Sequence, residues 1–487
     1  MRRFVWAVFA VMLLALLSPG CGGGGRPGLM GELPPGMDFY LTMSPEGVGV
    51  REILGSLRGT ELDGSDELAI AGAALGIDPL SWDEWVAATG LNPEAEMGLA
   101  GYASGGRGTA VAVFLPVSDP AILESFLDVV PEEAPLRLSE WSDGMWVILV
   151  SEVPQQLDMM GEALESGQRL ADDEDFGRLW DALGDGGSDA HVYVRTHDQP
   201  ELEAVLLALE EDGGVARARA AALPSDPQFA QSLSVMQRGP AGDRPGLPSG
   251  VDLVVRSTVS MDAVGDMARD QMPPDAEQGL AMLGFESVDH MLSMFSGDSW
   301  GAVDLSSDQI RGLAVIGLDD AGAMDGFLSR LSGFAAMGDQ QVDRVRGGGV
   351  SGYSIPISSG PGAPPLEVGV FGPGLYILYG YSLQDVSGWS SRAAADEALG
   401  IDGAAPVFLA GDMSGVRRRI PGDTGELLPE AGRFAVSIRA EGDVAVMEGA
   451  LDTGEDRAFA AIFSAAFTAG YRAFEARANP PEEVDSK

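Results

Sequence analysis

The chain has one cysteine, three histidines and a single lysine, Lys487, among 487 residues. One thiol cannot close an internal disulfide, so no covalent cross-link within the chain holds the fold. It cannot complete a thiolate zinc site either. His191, His197 and His290 are the only histidines, and His191 and His197 stand six apart across an expected strand end, without metal-ligand spacing. We therefore expect no metal and no cofactor. Basic side chains are also scarce, 30 against 74 acidic ones, for a formal charge of −44. Binding to phosphate backbones or anionic headgroups depends on Lys and Arg releasing counterions, so nucleic acid is excluded as a partner. The preference for arginine points to a GC-rich genome more than to a site. The acidity would equally suit a saline habitat, and composition does not separate these causes.

Long apolar runs are missing too. Phe4 to Leu17 is the nearest approach, and it falls short of the roughly 18–20 residues that cross a bilayer stably. A spanning anchor is the weaker reading. Arg2 and Arg3 precede this run, and Ser18-Pro19-Gly20 separates it from Cys21. A basic start, a short apolar stretch and small residues at the cut are the layout of a secretory signal, expected here as residues 1–20. Cleavage there would remove two arginines and no acid, leaving the remainder more acidic still.

Leu17-Ser18-Pro19-Gly20-Cys21 resembles the bacterial lipobox, with Ser18 where leucine is usual and Pro19 before the small residue. The resemblance implies a lipid on Cys21 and attachment to a membrane of the cell envelope, with the outer membrane or cell surface ahead of the inner membrane. Ordinary secretion with a leftover thiol is the alternative. Residues 21–29 then read as lipid attachment and tether, Gly22 to Gly25 being flexible.

The remaining 45% apolar composition is that of a globular protein, and four landmarks recur in one order, the mark of a duplicated unit. Leu33-Pro34-Pro35-Gly36-Met37-Asp38-Phe39 is echoed by Leu247-Pro248-Ser249-Gly250-Val251-Asp252-Leu253. Arg107-Gly108 before an apolar strand, then Asp119 and Phe126-Leu127, is echoed by Arg311-Gly312, Asp320 and Phe327-Leu328. Gly144-Met145-Trp146 is echoed by Gly374-Leu375-Tyr376, and Ala182-Leu183-Gly184 before Val192-Tyr193 by Ala398-Leu399-Gly400 before Val407-Phe408. The expected copies are 30–246 and 247–487, with Phe39 matching Leu253, Val111 matching Val315, Trp146 matching Tyr376 and Tyr193 matching Phe408. Asp119 and Asp320 are expected to cap helices. Alternating apolar strands set between helices predict an α+β fold of two tandem related domains, mainly antiparallel sheets with helices packed on one face. A parallel α/β sheet is the alternative. Glu455 to Ala478 reads as a closing helix, its Phe459, Phe463, Phe467, Tyr471 and Phe474 at the spacing of a buried face.

Asp119-Pro120 opening a helix after an apolar strand, the Gly144 strand and the Leu183 to Val194 segment together resemble a group of exported bacterial proteins built around a domain of unknown function. The resemblance implies no catalytic or binding residues.

Gly297-Asp298-Ser299-Trp300-Gly301 matches G-x-S-x-G, the elbow that presents a hydrolase serine between a strand and a helix. Here a helix is expected before it and strands after it, and all three histidines precede Ser299, so a turn is the expected role. Asp172 to Asp175, and Asp63, Asp66 and Glu67, lack the spaced acids and the glycine of a calcium loop and read as solvated loops. Gly347-Gly348-Gly349 has no following lysine and reads as a flexible turn. These residues point to a non-enzymatic envelope lipoprotein that binds or scaffolds. Its rivals are a carrier of an apolar ligand and a serine hydrolase centred on Ser299. Neither a protein partner nor a small-molecule ligand can be named from the residues.

Overall fold

The computed structural model describes residues 28–43, 45, 50–58, 69, 72–73, 76–102, 110–127, 136–142, 144–151, 153–184, 188–196, 202–212, 214–225, 235, 246–248, 250–271, 276–305, 309–337, 341–356, 363–389, 399–401, 405–419 and 432–453. Residues 1–20, Cys21, Gly22 to Gly25, Asp63, Asp66, Glu67, Arg107-Gly108, His197 and the aromatic stripe of 455–478 lie outside the described residues. Two compact units emerge, one from the described residues before 227 and one from those between 227 and 421 together with 431–451. The expected division at 246/247 thus falls within the second unit, a little before its first strand.

The first unit holds β1 (Phe39–Met43), β2 (Met97–Tyr102), β3 (Ala110–Pro116), β4 (Leu136–Ser142), β5 (Met145–Ser151), β6 (Ala190–Arg195), β7 (Leu202–Asp212) and β8 (Val215–Pro224). They lie in the order β4-β5-β3-β2-β1-β6-β7-β8, and every pairing is antiparallel. Because directly opposite residues share a face, the register sorts the side chains into two sets. Leu41, Met43, Met97, Leu99, Val111, Val113, Leu115 and Ile148 form one core with Val50 and Leu54, Trp82 and Trp85, and Leu123 and Phe126 from three helices. The other face carries Tyr40 and Tyr193, both fully buried, and Tyr193 meets the ring of Phe176 from the helix Glu174–Leu183 at 5.3 Å.

The α+β class with antiparallel sheets is what the structure shows, and in this unit helices cover both faces of the sheet. That is why β3 is buried at every position, a pattern without alternation. Local signals set the helix limits. Ser81 accepts from the Glu84 amide at the start of Trp82–Thr89, and Gly90 ends it at φ 68. A Cβ on Gly90 would stand 2.7 Å from the Asp119 carbonyl, so the position takes only glycine.

The second unit holds β9 (Leu253–Thr258), β10 (Phe295–Asp304), β11 (Arg311–Leu318), β12 (Asp343–Gly347), β13 (Val350–Ile355), β14 (Leu366–Phe371), β15 (Gly374–Tyr379), β16 (Val407–Asp412), β17 (Arg433–Glu441) and β18 (Val444–Asp452). Its order is β12-β13-β14-β15-β11-β10-β9-β16-β17, again all antiparallel. From β17 the chain turns at Gly442 into β18, and Arg439 reaches across to Glu448. Without the β12–β13 hairpin this is the first unit's order position for position, with β9 in the place of β1 and β14 in the place of β4. The two faces are again separate cores. Trp300, Val315 and Tyr376 pack with Leu383 and Val386, while Leu318, Val370 and Leu375 pack with Phe285, Met324 and Leu328. Asp119 and Asp320 both accept helix-start amides, from Ala121 and Ala323.

The pairing registers fix which residues share a row in each sheet. Tyr193, Tyr40, Ala100, Ala112 and Leu149 lie in one row across β6, β1, β2, β3 and β5. Phe408, Arg256, Trp300, Val315 and Tyr376 lie in one row across β16, β9, β10, β11 and β15. Tyr193 and Phe408 lie on corresponding strands, β6 and β16, and Phe39 and Leu253 open the corresponding strands β1 and β9. The other two expected pairs differ in the face they use: Val111 and Trp146 pack in the core that holds the helix after β3, whereas Val315 and Tyr376 pack in the core on the face away from the helix after β11. The cause is where each landmark meets its strand. Arg311-Gly312 lies inside β11, whereas β3 starts only at Ala110, and the turn glycine before β15 is Gly372, at φ 53, not Gly374.

Candidate functional site

Ser299 sits inside β10, between β9 and β11, opposite Ser257 and Ile316. Its hydroxyl donates to the Ser257 carbonyl at 3.2 Å. A strand and no helix comes after it, so the geometry of a nucleophile elbow is missing. The expected turn is a β-bulge instead. The β10–β11 register shifts between Phe295 and Ser299, and Gly297, at φ 82, lies where a Cβ would stand 2.1 Å from the Val259 carbonyl. An extra residue with glycine at positive φ bends the strand and re-aims the neighbouring side chain.

The side chain so aimed is that of Asp298. Its Oδ1 accepts from Arg256 Nε at 3.0 Å and from Thr258 Oγ1 at 2.9 Å, and its Oδ2 accepts from Trp300 Nε1 at 3.3 Å. The Arg256 guanidinium lies 5.1 Å from the Trp300 ring centre, a cation–π distance. The Arg256 side chain is only 5% exposed and that of Asp298 21%. A buried guanidinium demands a charge partner, and the bulge brings one into reach. Nothing in the spacing of the motif announced this. The available signal was Arg256 itself, the one charge within the apolar run of β9.

A second buried carboxylate, Asp304, pairs with Arg311, whose guanidinium lies 5.0 Å over Tyr381. Burial raises the Tyr381 hydroxyl above its ordinary pKa, with Arg311 pulling the other way. In the first unit the acidic run Asp172 to Asp175 is not a loop but the start of a helix. Asp173 caps it by accepting from the Phe176 amide at 3.1 Å and also pairs with Arg195 at 2.6 Å. Acids gather there because the helix start offers unpaired amides. Arg195 in turn donates to the Tyr193 hydroxyl at 3.1 Å. Burial works against the Arg195 charge, but Tyr193 and Asp173 outweigh it and hold the pKa above its usual value. Tyr40 donates to the Pro34 carbonyl at 3.0 Å and accepts from the Met37 amide at 2.8 Å. Burial, more than anything else, pushes its pKa up.

His191 and His290 have aromatic neighbours. His191 stacks on Trp180 with ring centres 4.9 Å apart. His290, in the helix Val288–Leu292, accepts at Nδ1 from the Glu286 amide at 3.3 Å and meets Phe285 edge-on. Among the described residues no three His, Cys, Asp or Glu side chains gather as a metal site. Among them, too, no helix is long and apolar enough to cross a membrane. Gly347 to Gly349 turn β12 into β13.

No protein-family model matches the chain, and no curated protein does. Among solved structures, crystal form I of TP0453 is 14% identical at a TM-score of 0.25, covering 42% of this chain and 80% of its own. Crystal form III of TP0453 is 12% identical at a TM-score of 0.26, covering 45% of this chain and 91% of its own. A likeness at these scores carries no argument about fold or function.

Proposed function

We propose that the protein is an exported lipoprotein of the bacterial cell envelope, held to a membrane by a lipid on Cys21, and that it acts by binding or scaffolding. The observation that carries this reading is the ordered run Arg2-Arg3, Phe4 to Leu17, Ser18-Pro19-Gly20 and Cys21, the chain's single cysteine. A lone thiol exported to an oxidising compartment has no internal partner, and lipidation gives it a role. The Arg256–Asp298 and Arg311–Asp304 pairs engage one another and the Ser299 hydroxyl is held by a backbone carbonyl, which supports structural roles for these residues rather than a centre at Ser299.

The test is fractionation of cells expressing the intact chain and Cys21→Ser. We expect the first in the membrane fraction and the second released, because one residue carries the whole attachment. Membrane retention of Cys21→Ser would sink the lipoprotein reading.

A further inference from the structure

One helix of the second unit leaves its core part-way along. In Ala321–Met337 the first half buries Met324 and Leu328 against Leu318, Val370 and Leu375 of the sheet. The stripe that begins with half-buried Phe327 then continues at helical spacing into Leu331 and Phe334, which are 38% and 42% exposed. From Leu331 to Met337 no residue is charged. Arg330, one place before Leu331, donates from Nε to the Leu283 carbonyl at 3.0 Å, which sets Met282 beside the same stretch of helix. Met282 is 69% exposed, the most open large apolar side chain among the described residues.

The charge beside this patch runs against that of the chain. β12 pairs with β13 so that Arg344 lies opposite Tyr353 and Arg346 opposite Ser351. Both partners face the helix: the Tyr353 hydroxyl turns to Ser329 and Ser332, and the Ser351 hydroxyl donates to Asp325 Oδ1 at 2.8 Å. Directly opposite residues share a face, so the two arginines stand on the helix side of the sheet. Each is exposed, and no ion pair engages either among the described residues. In a chain with 74 acidic residues, two arginines outside any such pair, beside three open apolar side chains, are an exception.

We propose that this end of the helix, with Met282, Arg344 and Arg346, is a second membrane contact, in which Leu331, Phe334 and Met282 enter the surface of an anionic bilayer and the two arginines meet its phosphates. Apolar anchors rimmed by arginine are what an anionic interface selects. The acids elsewhere do not cancel this, because at contact the arginines lie within a Debye length of about 8 Å, while distant charges are screened. A protein partner fits less well: three side chains make a patch of a few hundred Å², short of the about 800 Å² a side that a stable protein interface buries. A membrane contact can be that small where a tether already holds the chain at the surface. The proposal rests on the lipid on Cys21 for its setting, and adds which part of the second unit meets the bilayer.

The test is oxidation footprinting of the purified full chain carrying Cys21→Ser, so that no attached lipid contributes. Hydrogen peroxide converts exposed methionine to its sulfoxide, transferring one oxygen and releasing water, and peptide mass spectrometry reads the rate at each residue. Met159, 54% exposed in the first unit, is the internal control. We expect vesicles of phosphatidylglycerol and phosphatidylcholine to slow oxidation of Met282 about threefold or more and to leave Met159 unchanged, with little effect from phosphatidylcholine alone. Arg344→Gln with Arg346→Gln, and separately Phe334→Ser, should keep the melting midpoint of the parent, since all three side chains are exposed, and should lose most of that shielding. Met282 oxidised equally with and without anionic vesicles, equal shielding of Met159 or by the neutral vesicles, or full shielding in both variants would overturn the proposal. Shielding of Met282 that appears without vesicles as protein concentration rises would overturn it in favour of self-association. If the fractionation fails while Met282 is still shielded, the tether is lost and this contact stands, so the two results are separable.

Discussion

Tyr40 and Arg256 lie on corresponding central strands, β1 and β9, of two sheets of the same strand order, and each is buried. They are satisfied by opposite means. Tyr40 is neutral and binds backbone within its own turn, Pro34 and Met37. Arg256 is charged and pairs with Asp298, next to the bulge at Gly297. The neighbours differ too: Ala100 lies beside Tyr40, and Trp300 lies beside Arg256 and covers the guanidinium. The central strand of this order therefore buries an aromatic ring in one unit and a cation in the other, each with a neighbour on the adjoining strand that suits it.

The largest effect should come from removing the carboxylate that pairs with the buried cation. Asp298→Ala leaves Arg256 buried without that carboxylate, and we expect a loss of about 3–5 kcal/mol, confined to the second unit in native-state hydrogen exchange. A loss below the level of an ordinary surface substitution would show that Arg256 is held by other groups and would break the comparison.

Next comes a pair of glycines on the corresponding strands β2 and β10. Gly101 lies opposite Phe39 and Val111, and Gly301 lies opposite Val255 and Ala314. A Cβ on Gly101 would stand 2.3 Å from the Ala110 carbonyl and 2.8 Å from the Phe39 ring, whereas on Gly301 the nearest atom is 3.8 Å away. Gly101→Ala should cost about 1–3 kcal/mol. Gly301→Ala should be neutral or stabilise by about 0.5–1 kcal/mol. Urea melts of the two variants check the contrast, and equal effects would remove it.

Alkaline pH should sharpen the difference further. Burial raises the Tyr40 pKa, so its contribution is whole below the unfolded value of about 10 and is lost as pH rises beyond it. Tyr40→Phe should cost about 1–3 kcal/mol at neutral pH, through the stranded Met37 amide and Pro34 carbonyl, and should make the first unit less sensitive to alkali. Thermal melts at neutral and alkaline pH read both effects. The smallest effect belongs to Ser299→Ala, within about 0.5 kcal/mol, with no ester hydrolysis by either form. Esterase activity in the purified protein that this substitution abolished would return Ser299 to catalysis.

The fold was legible to the extent that local chemistry sets it. The capping aspartates 119 and 320, the Gly144 turn and the strand at Tyr193 all lie where the residues placed them, because caps and turns depend on a few neighbours. Register was not legible. Val111 and Val315 read as equivalent after the same Arg-Gly pair, but that pair precedes one strand and belongs to the other, and a one-residue slip reverses the face. The Arg256–Asp298 pair was hidden because its partners are far apart in sequence and meet only once β9 and β10 are zipped, and the bulge that joins them resembles a catalytic motif. The patch at Phe334 was hidden for a similar reason, since only the assembled β12–β13 hairpin sets Arg344 and Arg346 on the side of the helix.

The central position of β1 has a kinetic consequence. It is the first strand made, yet its two neighbours are β2 and β6, and the Phe39–Val194 pairing waits on a segment about 150 residues later. Until β6 arrives, β1 has one open flank and apolar residues on both faces. The nascent unit is therefore sticky for most of its synthesis, and holding it unfolded until residue 195 is available guards it against mispairing. If the chain is exported as proposed above, late closure of the sheet keeps the polypeptide transportable.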